Sequence, residues 1–186
     1  MLVFSEYQTD TIDLALDFYG YEDCPKNYEF GPSVRDNFVL HFVTKGKGVF
    51  HFEKKEIHLE AGDLFLLPKN KVTYYQADSE EPWSYYWIGI SGTKVSDFMR
   101  FSTLHEKGFL KKTEVETEKI GKFMEQLVHK AEASKMTSHY QLHLLSQIYE
   151  LLFLISEVAP DIHRSHPSPT YQLYLTCKHM IETHYN

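Results

Sequence analysis

Residues 72–92 read VTYYQADSEEPWSYYWIGISG and hold four tyrosines and both tryptophans of the chain. Tyr and Trp join a flat apolar face to a polar edge that needs a hydrogen-bond partner. Crowded together, they suit contact with something both apolar and hydroxylated. Read as a strand, WSYYWIGI alternates between two faces. Trp83, Tyr85, Trp87 and Gly89 share one side; Ser84, Tyr86, Ile88 and Ile90 share the other. A sugar ring has C–H faces that lie on aromatic rings and hydroxyls that bond to edges. Aromatic walls with a few convergent polar groups make small-molecule sites. The competing reading is that the rings simply fill a core.

The chain has eleven histidines, of which His41, His51 and His58 fall in apolar runs expected to be strands. Their setting resembles a cupin metal motif, in which Gly62 and Pro68 keep the spacing. The ligand positions of that motif hold Val49, His51, Lys55 and Thr73, so one imidazole remains of four ligands. A catalytic Zn or Fe takes about three protein ligands and keeps a position open. No metal and no other cofactor is therefore expected. A phosphate-binding glycine loop and a G-x-S-x-G elbow are both absent from the sequence. The expectation is a protein that is not an enzyme. The rival within this reading is a metal-dependent cupin enzyme acting on a sugar.

The elements that must position these residues differ between the two halves. From Phe38 to Ile90, short runs rich in Val, Phe and Ile are separated by KGKG, EAGD and PKNK. That pattern predicts successive antiparallel strands of a small barrel. TKVSDFMRFSTL predicts a short helix. Thr113 and Glu116 then have capping-box spacing, and Ile120, Phe123, Met124, Leu127, Val128 and Ala131 follow at helical period. A second helix, with Thr137 or Ser138 at its N-cap, carries Leu144, Leu145, Ile148, Leu151, Leu152 and Ile155. Phe153 and Leu154 add apolar surface on other faces. A helix apolar on more than one side needs more than one partner, which is either the chain's own core or a dimer seam. APDIHRSHPSPT (159–170), with three prolines, reads as a linker. YQLYLTCKHMIETHYN (171–186) has helical spacing but cannot bury its own apolar face alone.

Totals narrow the function. At 186 residues, 42% hydrophobic and 24% charged, the chain can build one good core. A net charge of −7 is the wrong sign for neutralising phosphates. Two distant cysteines, Cys24 and Cys177, form no disulfide framework. With no basic n-region at the start and no apolar run of membrane length, a cytoplasmic location and no membrane partner are expected.

Three segments, FGPSVRDNFVLHFVTKGKG, AGDLFLLPKNKVTYYQAD and EPWSYYWIGISG, resemble in order and separation the N-terminal sensor of AraC-type transcription regulators. The likeness covers residues 18–100 by motif and 113–186 by architecture, and it points to Gram-positive regulators of multiple-sugar and raffinose operons. It implies an α+β chain: a cupin-like antiparallel β-barrel (jelly roll) followed by an antiparallel two-helix dimerisation unit. The implied limits are residues 1–107 for the ligand-binding domain with an N-terminal arm, 108–158 for the helices and 159–170 for the linker. Residues 171–186 would open a DNA-binding domain lying beyond Asn186. The resemblance implies a sugar inducer, such as an α-galactoside or another oligosaccharide, a homodimer, and DNA contact only through that further domain. In arabinose-binding relatives a Tyr after the Pro-containing turn touches the sugar, and Tyr74 stands there. A His and a stacking Trp correspond to Tyr85 and Trp87, so the hydrogen bonding must differ from theirs. Arg35 corresponds to a sugar-binding Arg, or else pairs with an acid such as Asp36. His41 and His51 either face the pocket or are core histidines. The expected dimer interface is Leu144, Leu145, Ile148, Leu151, Leu152 and Ile155. Phe4, Tyr7, Leu14, Leu16 and Phe18 belong to the segment expected as an arm, or as an extra element packed on the barrel. A further alternative is a ligand-free dimerisation module.

Overall fold

The computed structural model describes residues 3–4, 13–133, 138–162 and 169–184. It is α+β. Ten strands come first: β1 (Val3–Phe4), β2 (Ala15–Asp23), β3 (Glu29–Val34), β4 (Phe38–Lys45), β5 (Lys47–Phe52), β6 (Lys55–Glu60), β7 (Leu64–Leu67), β8 (Val72–Ala77), β9 (Ser84–Ser91) and β10 (Phe109–Leu110). Helices α1 (Val95–Met99) and α2 (Leu104–Lys107) precede β10. Helices α3 (Thr117–Ala133), α4 (Ser138–Val158) and α5 (Pro169–His184) follow it. The strands form a six-stranded sheet, β1-β2-β9-β4-β7-β10, and a four-stranded sheet, β3-β8-β5-β6, with every pairing between them antiparallel. The turn spacing predicted a small antiparallel barrel, and the sheets have the cupin-like jelly-roll form that the resemblance implies.

The three turns behave as their residues dictate. Gly46 lies at φ 68° with a Cβ position only 2.2 Å from the Pro82 carbonyl oxygen. No side chain fits there, which explains KGKG. Gly62 and Asn70 also take left-handed backbone, at φ 96° and 60°, conformations in which Gly and Asn are favoured.

Sheet β4–β9 separates two cores. One face packs Phe38, Leu40, Phe42, Tyr86, Ile88 and Ile90 onto helices α3 and α4. The other lines the barrel with Val39, Val43, Tyr85 and Trp87. Both strands are therefore buried almost throughout, as expected of a sheet covered on both faces. The strict alternation read from WSYYWIGI is the division between these cores.

Several expectations need correction. The helix begins at Thr117 rather than at the Thr113–Glu116 pair. Thr113 lies in a turn closed by the Glu114 N–H donating to the Lys111 carbonyl, Glu116 directly precedes the helix, and the Thr117 hydroxyl donates to the Gly62 carbonyl and ties the helix to the barrel. Of the apolar stripe on α4 expected to meet a second copy, Leu144, Ile148, Leu151, Leu152 and Ile155 are buried in this chain's own core and Leu145 packs partly against it. The reason is that α4 packs both on α3 and on β2 of the barrel. What α4 leaves bare is another stripe, Leu142, Tyr149 and Phe153, at 69, 42 and 60% exposure. The start of the expected linker is anchored: the Ala159 carbonyl accepts from the Ser102 hydroxyl at 2.8 Å and the Thr103 N–H at 3.0 Å. The segment read as an arm contributes β1 at the sheet edge, paired Val3 with Tyr19 and Phe4 with Phe18. Leu14 and Leu16 are core, and Tyr7 lies outside the described residues. Along α5, residues 173–184 are exposed.

Candidate ligand cavity

One end of the barrel is packed shut and the other is open. At the closed end Trp83 is fully buried and stacks on Phe65, with ring centroids 5.4 Å apart and planes 18° apart. Phe50 completes the plug, 5.1 Å from Phe65. Gly48 is what admits the indole, since a Cβ there would stand 2.5 Å from it. Trp83 is thus the case in which an aromatic ring fills the core.

Above this plug lies a cavity of about 300 Å³ lined by Phe18, Glu22, Tyr28, Phe30, Arg35, Val39, His41, Tyr75, Tyr85 and Trp87. Its walls come from five strands, β2, β3, β4, β8 and β9, with Tyr28 from the β2–β3 connection and Arg35 from the β3–β4 turn. Trp87 lies opposite Gly20 on β2 and edge-on to Phe18, 5.4 Å between centroids. The space beside Gly89 is taken by the Phe18 ring, which a Cβ at Gly89 would meet at 2.1 Å.

Polar groups are few and specific. Tyr75 and Tyr85 share a hydroxyl–hydroxyl hydrogen bond of 3.1 Å, and burial raises both phenols above their ordinary range. Both therefore keep their protons at neutral pH. His41 stacks on Phe65 at 4.4 Å, and its Nδ1 is buried without a partner. Burial, and then the neighbouring Arg35 charge, push its pKa down to about 3, so the imidazole is neutral. The Arg35 guanidinium lies 4.6 Å above Phe30 and 5.9 Å from Phe18, a cation–π arrangement. Its Nε is buried without a hydrogen-bond partner. Cys24 beside Tyr85 is buried, and desolvation lifts its thiol to about 11.

Of the six residues expected to bind ligand, Arg35, His41, Tyr85 and Trp87 meet in this cavity. His51 and Tyr74 do not. They are cross-strand partners on the outside of the four-stranded sheet, with rings 5.2 Å apart, and the Tyr74 hydroxyl donates to Glu29 at 2.8 Å. Side chains alternate along a strand, so Tyr75 faces inward where Tyr74 had been expected. Sequence reasoning also missed Phe18, Glu22, Tyr28 and Phe30, which lie on strands or turns it had not assigned. Among the described residues no three His, Cys, Asp or Glu side chains converge as metal ligands; His58 pairs with Glu56 on the outer surface.

A cavity this size, walled by rings and edged by a cation, a carboxylate, an imidazole and three phenol hydroxyls, can hold a small polyhydroxylated molecule. The family model for the AraC-like ligand binding domain matches residues 15–152. The chain belongs to that family. It is 34% identical over 184 residues to the Msm operon regulatory protein of Streptococcus mutans, covering 98% of this chain and 65% of that protein. It is 40% identical over 100 residues to the raffinose operon transcriptional regulatory protein of Pediococcus pentosaceus, covering 52% of this chain and 36% of that one. The chain thus spans about two-thirds or less of these relatives' length. Among solved structures it is similar to the cupin domain of Schizosaccharomyces pombe Cnp3, at 14% identity and TM-score 0.42 over 50% of this chain and 64% of that one.

Proposed function

We propose that this chain is the effector sensor of a cytoplasmic transcription regulator and binds a sugar inducer, without metal or catalysis, in the barrel cavity. The observation that carries this is the cavity wall itself: Trp87, Tyr85, Tyr75 and Phe18 around Arg35, Glu22 and a neutral His41. Trp87 stacks on the C–H face of the sugar. Arg35 and the Tyr75–Tyr85 pair bond its hydroxyls. The names of the similar proteins, which refer to Msm, raffinose and lactose operons, support a sugar as the effector.

The sensor works as a homodimer joined through the bare face of α4, Leu142, Tyr149 and Phe153, rather than through the stripe buried in its own core. DNA recognition belongs to a region outside these residues, in keeping with the −7 charge, and the exposed apolar residues of α5, including Leu175 and Ile181, pack against that region. The inducer acts by binding one arrangement of sensor and DNA-binding region more tightly than another. Strand β9 links the cavity to the helices: Trp87 faces the cavity, while the preceding residue, Tyr86, bonds to Glu125 and His129 of α3 at 3.3 and 3.2 Å.

The test is intrinsic fluorescence of the purified chain titrated with arabinose, galactose, melibiose, raffinose, lactose and sucrose. A saturable change with one sugar, lost in Arg35→Ala, is expected. Silence across the panel from a folded protein would remove the sugar reading and leave a ligand-free dimerisation module.

A further inference from the structure

Strand β2 turns Phe18, Gly20 and Glu22 toward the barrel interior, and their partners on β9 are Gly89, Trp87 and Tyr85. Trp87 lies over Gly20, which has no side chain, so Phe18 and Glu22 stand at the two ends of the indole wall. We propose that Glu22 determines the specificity of this cavity. Its carboxylate accepts hydrogen bonds from two adjacent hydroxyls of the inducer, so that a free vicinal diol lies at the Tyr85 end. The inference rests on the sugar-sensing reading above and adds which residue selects the ligand and which group it reads.

Strand geometry gives the first argument. Glu22 lies four residues along β2 from Phe18, about 13 Å at the usual rise per strand residue. Arg35 belongs to the Phe18 end, with its guanidinium 5.9 Å from that ring and 4.6 Å from Phe30. Glu22 belongs to the Tyr85 end, next to the plug, where the Trp83 ring lies 6.1 Å from that of Tyr85. The cationic and anionic groups of the cavity are therefore held apart, with the stacking surface of Trp87 between them.

The second argument is chemical. An ionised carboxylate only accepts hydrogen bonds, whereas a guanidinium only donates. The phenols of Tyr28, Tyr75 and Tyr85 and the imidazole of His41 can do either. Glu22 is thus the cavity group that a ligand must meet with donors. Its two oxygens match a pair of neighbouring hydroxyls, and bonds to an ionised acceptor are the stronger kind. The other acids of β2 are already engaged. Asp17 accepts from Ser91 at 2.7 Å and from Asn37 at 3.2 Å, and Asp23 accepts from Ser84 and Tyr21. Glu22 is instead half-buried on the cavity wall. A site built to bond a hydroxyl rejects an analogue lacking it far more strongly than an apolar pocket rejects a missing methylene.

Calorimetry on the 186-residue chain tests this with arabinose, galactose, melibiose, raffinose, lactose and sucrose, and with terminal-ring monodeoxy analogues of whichever binds. In the wild type, loss of either of two adjacent hydroxyls should weaken binding at least about tenfold. Glu22→Gln keeps the side-chain shape and should bind the parent sugar at least about tenfold more weakly. Glu22→Ala should bind the parent and those two analogues alike, within about twofold, whereas a merely structural change would leave the discrimination in place. The glutamine variant and the deoxy series decide the matter even if Glu22→Ala does not fold. Full affinity in Glu22→Gln, sensitive hydroxyls that are not adjacent, or an alanine variant that still discriminates would overturn this role and spare the sensor. No binding of any of these sugars by a folded wild-type chain would overturn both.

Discussion

Gly20 stands directly across the β2–β9 pair from Trp87, and a Cβ at Gly20 would come within 2.7 Å of the indole Cζ2. The indole of the cavity wall is thus held flat over a position that has no side chain. Gly20→Ala should push the ring off this seat, destabilise the fold by about 1–3 kcal/mol as overpacking does, and weaken sugar binding. Denaturant melts and the near-ultraviolet circular dichroism of the tryptophans check both effects. Unchanged spectra and affinity would mean that the ring position is unimportant.

His41 predicts an acid sensitivity. Its folded pKa is lowered to about 3 from an ordinary 6.5, chiefly by burial. Below pH 6.5 the unfolded chain takes up a proton that the folded chain refuses, so stability is complete above 6.5 and declines as pH falls toward about 3. The slope from this group is at most about 1.4 kcal/mol per pH unit. His41→Gln should flatten the stability profile in that window and leave it unaltered above pH 7. An identical acid limb in the variant would contradict the burial of a neutral imidazole.

Neighbouring tyrosines separate wall from surface. Tyr75→Ala removes a cavity ring and leaves Tyr85 without its 3.1 Å partner; loss of binding and a cost of about 3–5 kcal/mol are expected. Tyr74→Ala opens only the outer contact to His51 and Glu29, and affinity should stay within about twofold, as for surface changes generally. The reverse ranking, read by titration calorimetry, would restore Tyr74 as the contact.

The two faces of α4 should also respond differently. Ile148→Ala cuts into the buried core and should cost about 2–5 kcal/mol at any protein concentration. Phe153→Asp alters a 60% exposed ring and should leave the fold intact while converting dimer to monomer in sedimentation. A wild-type chain that is monomeric at high concentration would dispose of this seam.

The barrel was legible because its turns are written in residues that the backbone requires: Gly46, Gly62 and Asn70 all have positive φ. The alternation of β9 was legible because strand period does not depend on context. Strands β2 and β3 were harder to read. ALDFYGYED mixes acids and a glycine into a strand, and Gly20 is there only because a ring from another strand needs the space. The same limit applies at positions 74 and 75, two adjacent tyrosines of which a one-residue difference in register decides which faces the cavity. On α4, apolar spacing identified a buried stripe but could not say whether the burying partner was this chain or a second copy. That depends on where α3 and β2 lie, and tertiary packing settles it.

The most direct measurement uses the two tryptophans as internal probes. With indole nitrogens labelled, a two-dimensional NMR spectrum gives one side-chain resonance each for Trp83, sealed in the plug, and Trp87, on the cavity wall. Saturation with the inducing sugar should move the Trp87 resonance and leave Trp83 in place. Stationary Trp87 under saturating sugar, or equal movement of both, would contradict binding in this cavity.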